Sequence, residues 1–113
     1  MPDRFWSVAR SANEPTTTGR AQRLPPTPPF VGRLPLEIAL DHVDEIVTVT
    51  EAEIVEAMKL LMTYSKLLVE GSGAAATAAL LSGKVKPLPN STVVSIVSGG
   101  NVDLNKLLRL VKA

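Results

Sequence analysis

An apolar, β-branched run, Val93-Val94-Ser95-Ile96-Val97, ends in Ser98-Gly99-Gly100-Asn101, and a helical pattern follows at once. Ligands of α/β proteins bind at the carboxyl ends of strands, where a turn of this kind sits. Two glycines let the backbone turn tightly and let a ligand approach closely. Ser98 would stand at the strand tip with a hydroxyl free to donate or accept. A plain strand-to-helix corner without a ligand reads the same way, because Gly-rich turns are a weak signal alone.

Three other places hold residues that could do chemistry. Glu70 follows an apolar run and precedes Gly71-Ser72-Gly73 and an Ala-rich helix. It is either a cap on that helix, where acids suit the dipole, or a carboxylate held in a cleft as a candidate proton handler. The amides of Gly71-Ser72-Gly73 could hold an anion, but the spacing matches neither a Walker loop nor a dinucleotide fingerprint, and a helix cap with glycines that allow close packing is the favoured reading. His42 is the only histidine. Asp41 and Asp44 lie beside it, yet neighbours in sequence do not converge on one site of a helix. No metal site and no Ser-His-acid arrangement can be drawn from it.

The elements that must position these residues are legible from Pro35 onward. Leu36, Ile38, Ala39, Leu40 and Val43 suggest a short helix after Pro35, a favourable residue in a first helical turn. Ile46-Val47-Thr48-Val49 reads as a strand. Thr50-Glu51-Ala52-Glu53 reads as a capping box that opens a helix with Ile54, Val55, Met58, Leu61 and Met62 on one face. The Ala-rich stretch 74–81, closed by Gly83, is small nearly all round and reads as a core helix. A strand over 92–97 and a last helix carrying Leu104, Leu107, Leu108 and Val111 complete the order. Strands alternating with helices argue for an α/β layer with parallel strands. Two short strands are too few for an independent sheet, so the chain is expected to lack or borrow neighbouring strands.

Residues 1–33 differ in kind. Six of the nine prolines and five arginines lie there, against only Asp3 and Glu14. This Pro/Arg-rich segment is expected to be extended or disordered, with 34–113 as the folded part. An arginine arm for nucleic acid is one reading. The arginines are spread out, however, and only Phe5 and Trp6 could stack on bases, so no nucleic acid is expected as partner. The whole chain has a net charge of +1 and no cysteine, which excludes disulfides and thiol catalysis. No apolar run approaches the roughly 20 residues of a membrane span, and no signal-peptide core is present. No membrane is expected as partner, and the expected compartment is the cytoplasm.

Three segments in order, Val43–Thr50, Lys66–Ala74 and Ser98–Asp103, resemble the threonine/serine dehydratases, with serine racemase as a relative. The resemblance covers about residues 30–113, the C-terminal quarter of such an enzyme. It implies a fold of α/β class: part of a three-layer αβα sandwich with short parallel strands, from the large domain of a tryptophan-synthase-β-like (fold type II) enzyme. It implies pyridoxal 5′-phosphate as cofactor and deamination of L-threonine or L-serine as the reaction. Ser98 matches the residue that hydrogen-bonds the pyridine nitrogen, Gly99 the residue that lets the ring lie against the backbone, and Glu70 a glutamate of the same pocket. A neutral hydroxyl partner leaves the ring nitrogen unprotonated, which favours β-elimination.

The chain also departs from this pattern. None of Lys59, Lys66, Lys84, Lys86, Lys106 or Lys112 stands in the context of the family's Schiff-base lysine, and the Gly-rich phosphate cup has no counterpart. Gly71 replaces the usual proline, and no metal ligands carry over; a loose alignment of Arg4–Val8 with a family strand puts Ala9 where an acid is expected. The expectation is a C-terminal piece of a dehydratase, inactive alone, acting on an amino acid only in a complete enzyme. The alternative is a non-catalytic α/β interaction module. In either case a second copy or a partner chain could cover exposed strand edges.

Overall fold

A computed structural model describes residues 6–10 and 33–112 of the chain. β1 (Trp6–Arg10) and β2 (Glu45–Val49) form a two-stranded parallel sheet, with Trp6 opposite Glu45 and Arg10 opposite Val49. The Pro/Arg-rich segment thus supplies a strand; residues 1–5 and 11–32 fall outside the described residues. Parallel neighbours need a crossover connection, and α1 (Arg33–His42) lies on it, with Pro35 in its first turn.

Three more helices follow: α2 (Glu51–Leu60), α3 (Gly71–Leu81) and α4 (Leu104–Lys112). α3 is the hub, since it packs against α2 and against both strands, while α4 packs on α2. Its small residues explain this. Ala74, Ala78 and Ala79 are fully buried, so backbones on several sides can approach. The end of α3 is set by Gly83, at φ 71°. The Lys84 amide reaches back to the Ala79 carbonyl at 3.1 Å, a Schellman-type closure that glycine makes cheap.

Along β2 the side chains alternate. Val49 is buried and Val47 packs on the core, whereas Ile46 is 63% exposed. One sheet face is therefore covered and the other open. α1 shows the same incompleteness: none of its residues is buried, and Leu34, Leu36, Ile38 and Leu40 all face solvent. The last helix departs from the expected face. Leu107 is buried, with Leu110 and Val111 packed against the core, while Leu104 and Leu108 are exposed. Asp103 caps it by accepting from the Lys106 amide at 2.9 Å. No helix among the described residues is long and apolar enough to cross a membrane.

The expected strand over 92–97 is not formed. The segment carries no strand hydrogen bonds, although its alternation persists: Val94 and Ile96 are 83% and 77% exposed, Ser95 and Val97 half-buried. A strand is defined by its neighbour, and among the described residues no strand lies beside this segment. Between α2 and α3, Leu61–Ser65 winds as a π-helical turn that ends at Lys66, a non-glycine residue in left-handed geometry with φ 57°. Its ammonium donates to the Thr63 carbonyl at 2.6 Å.

The capping box forms as expected. Thr50 Oγ1 accepts from the Glu53 amide at 3.1 Å, and Glu53 Oε2 accepts from the Thr50 amide at 2.7 Å. A long-range partner joins it: Lys84 Nζ donates to Glu53 Oε2 at 2.7 Å, tying the start of α2 to the loop after α3. Burial is the largest single influence on the Glu53 carboxyl and pushes its pKa up. The Lys84 ammonium and the Thr50 contacts together outweigh it, leaving the pKa below the ordinary 4.5. A depressed carboxyl stabilises the fold above its unfolded pKa, and that contribution is lost as pH falls through the folded pKa. Glu53→Gln is expected to cost about 1 kcal/mol near neutral pH, the size of a lost cap. The cost should shrink below pH 4.5. Denaturant titrations at neutral and acid pH measure it, and an equal cost at both would show that the carboxylate charge is not the stabilising element.

Candidate functional site

Glu70 sits at the junction of Val69, which is buried, and α3. Its backbone is extended, φ −76° and ψ 164°, the usual geometry of a helix N-cap, yet its side chain makes no capping bond. The carboxylate instead accepts from Ser72 Oγ at 3.0 Å. The Glu70 amide donates to the Gly99 carbonyl at 3.0 Å. Residues nearly thirty positions apart are thereby joined, and the corner with Ser98 is placed beside the start of α3.

Gly99 has φ 75°, where a side chain is strained. A Cβ there would also overlap Cγ, Cδ and Oε1 of Glu70, so the glutamate side chain lies against the glycine. At Gly73, in the first turn of α3, a Cβ would overlap the carbonyl oxygen of Ser98. Helix and extended segment thus touch backbone to backbone. Farther along, Thr77 Oγ1 and Ser95 Oγ share a hydrogen bond of 3.1 Å. These contacts hold residues 95–100 along α3 without a sheet ladder.

Ser98, Gly99 and Glu70 are therefore gathered at one place. Ser98 and Gly99 are exposed and Glu70 is half-buried. The Ser98 hydroxyl makes no hydrogen bond among the described residues, which leaves it able to donate to a ligand. His42 is exposed at the end of α1, away from any cluster of ligands. Among the described residues no group of three or more His, Cys, Asp or Glu side chains could hold a metal. Three lysines are engaged elsewhere: Lys59 with Glu56, Lys66 with Thr63 and Lys84 with Glu53. A shallow concavity of about 420 Å³ is lined, among the described residues, by Asn105, Leu108, Arg109 and Lys112 of α4 and by none of the Ser98 corner.

Sequence reasoning missed the roles of Ser72 and Thr77, whereas the close packing expected of the glycines at 71–73 is seen at Gly73. Gly73 had a readable signal, since a glycine inside the first turn of a helix of alanines gives up helix propensity for proximity. Ser72 and Thr77 had none, because their partners depend on how the chain folds back.

The family model for pyridoxal-phosphate dependent enzymes matches residues 5–99. The chain belongs to this family. The catabolic L-threonine dehydratase of Staphylococcus aureus (strain USA300) is 50% identical over 78 residues, covering 67% of this chain and 22% of that protein. The corresponding enzyme of Escherichia coli (strain K12) is 46% identical over 80 residues, 70% of this chain and 24% of its own length. Among solved structures, the threonine deaminase of T.th. superposes with a TM-score of 0.55 at 35% identity, covering 66% of this chain and 26% of that one. The chain thus spans about a quarter or less of the length of these relatives. The match to the family includes β1 as well as the Glu70 and Ser98 segments.

Gly73→Ala separates two effects of opposite sign. Alanine favours a helix interior over glycine by about 1 kcal/mol. Overlap with a backbone oxygen costs about 1–3 kcal/mol, because neither partner is a flexible side-chain end. The variant should be destabilised on balance, with the largest chemical-shift changes at Ser98 and Gly99. A stabilised variant with Ser98 unmoved would remove the close approach from the account.

Proposed function

We propose that this chain supplies the wall of a pyridoxal 5′-phosphate site that faces the pyridine nitrogen. The enzyme would be one that converts L-threonine or L-serine to a 2-oxo acid and ammonia. The supporting observation is the Ser98 hydroxyl, which has no hydrogen-bond partner among the described residues and is set beside Gly99, whose other neighbour is Glu70. The donor set fits the ring-nitrogen edge of that cofactor: a neutral hydroxyl for an aromatic nitrogen, beside an exposed glycine backbone whose Cβ side is filled by Glu70. When bound, the cofactor supplies an electron sink for charge developing at the α-carbon of the substrate.

The roles of the chain's own groups follow from their chemistry. Ser98 would donate its hydroxyl proton toward the ring nitrogen without giving it up, since a serine hydroxyl is far too weak an acid. A nitrogen so held would stay neutral, and the electron sink would be weaker than one whose nitrogen is protonated beside a carboxylate. That bias favours loss of the β-hydroxyl over reactions that need longer-lived charge on the ring. Gly99 would offer the ring edge its exposed backbone, and Glu70, packed on the Cβ side of that glycine, would line the pocket beside it. The lysine and the phosphate-binding loop of the family have no match in residues 1–113, so these groups must come from elsewhere for the reaction to run.

The exposed faces support the same reading. Parallel sheets are covered on both sides, and here the Ile46 side of β2 is open, as are α1 and the outward side of 92–97. We take these as the places where further strands and a second helical layer complete a three-layer αβα sandwich, contributed by further sequence, a second copy or a partner chain. The proposed assembly acts on an amino acid in the cytoplasm, with neither nucleic acid nor membrane as partner.

The test is a chimera in which residues 34–113 replace the matching segment of the Staphylococcus aureus dehydratase. It should form 2-oxo acid from threonine. Ser98→Ala should lower turnover by about 10- to 100-fold, the loss of about 1–3 kcal/mol from one hydrogen bond at the reacting system. Ser98→Asp should shift products away from elimination. A chimera that folds, binds the cofactor and ignores both substitutions would refute the assignment of Ser98.

A further inference from the structure

We propose that Ser72 is a positioning residue: its hydroxyl holds the Glu70 carboxylate across Gly99 and so fixes the Ser98–Gly99 corner. The inference rests on the reading of that corner as a cofactor wall, and it adds a residue whose task is to keep the wall in place.

The argument starts from what Glu70 does not do. A carboxylate at a helix N-terminus is favoured there by the free amides of the first turn and by the helix dipole. Glu70 has the backbone of an N-cap and leaves those amides alone. Its carboxylate is drawn to Ser72 Oγ, 3.0 Å from Oε1. In that position Cγ, Cδ and Oε1 fill the space beside Gly99. The Glu70 amide is also committed to the Gly99 carbonyl, at 3.0 Å. Main chain and side chain of one residue thus grip one glycine, and Ser72 is the only side-chain donor to that carboxylate among the described residues.

Two states compete for this carboxylate. In one, it bonds to Ser72 and lies on Gly99. In the other, it caps α3 and leaves Gly99 uncovered. Ser72 selects the first. Alanine at this position removes the donor without harming the helix, because alanine is the better helix former. The substitution should therefore leave α3 as stable as before, or more so, while Gly99 loses its cover. A merely structural serine would give the opposite pattern, with loss of helix stability and no selective change at Gly99.

The test uses the full 113-residue chain, isotopically labelled, as wild type, Ser72→Ala, Ser72→Thr and Glu70→Ala. In the wild type, nuclear Overhauser contacts should link the Glu70 side chain to the Gly99 α-protons. They should vanish in Ser72→Ala and persist in Ser72→Thr, with the Thr77 and Ser95 resonances and the melting temperature unchanged or the latter raised. The Ser98 and Gly99 amide shifts of Ser72→Ala should move in the same direction as those of Glu70→Ala. Contacts that survive in Ser72→Ala, or are lost equally in Ser72→Thr, would overturn the proposal. A separate arm adds pyridoxal 5′-phosphate to the wild type and follows the Ser98 and Gly99 amides. If those amides stay still while the ligand-free contacts behave as expected, the hold of Ser72 on Glu70 stands and the cofactor reading fails.

Discussion

The carbonyl oxygen of Ser98 occupies the space that a Cβ at Gly73 would need. From this approach follow the other features of the corner. With the first turn of α3 that close, the Glu70 amide reaches the Gly99 carbonyl, and the glutamate side chain meets a glycine at positive φ. One turn further along α3, the Thr77–Ser95 bond fixes the register of the extended segment. A segment with no strand partner among the described residues is thus held by a helix instead of a ladder.

That arrangement suits the proposed site, in which an exposed hydroxyl braced from behind would present a proton to a ligand and keep it. The brace combines main-chain contacts and small residues, which lose little side-chain freedom on folding, with the Glu70–Ser72 and Thr77–Ser95 side-chain bonds. The family match over residues 5–99 joins this corner to the parallel strand pair, so strands and corner are parts of one inherited design. In the proposed assembly, the open faces around them are where the remaining layers of the sandwich would pack.

Local signals in the sequence carried much of this. Thr50-Glu51-Ala52-Glu53 announces its capping box because both partners lie within one turn, and the structure shows both bonds. The Ala-rich helix and its glycine stop are equally local. The strand over 92–97 was not decidable from its residues, because β-branched alternation describes a fitting side-chain pattern, while a strand needs a hydrogen-bonded neighbour. The π-helical turn ending at Lys66 left no trace, since nothing in Leu-Met-Thr-Tyr-Ser asks for it. On α4, Leu107 and Val111 of the expected set pack inward, while Leu104 and Leu108 stay exposed and Leu110 packs on the core instead, because contact with α2 decides which side is covered. The lysine that joins the capping box lies 31 residues from Glu53, and Ser72 gained its meaning only when Gly99 came to rest beside Glu70.

The central claim is that the start of α3 and the Ser98 corner are one packed unit. The most direct measurement is the through-hydrogen-bond coupling between the Glu70 amide nitrogen and the Gly99 carbonyl carbon, read together with hydrogen exchange at Glu70. The account predicts a detectable coupling and a Glu70 amide protected well beyond that of a solvent-exposed coil. A Glu70 amide that exchanges at the coil rate, with no coupling to Gly99, would contradict it.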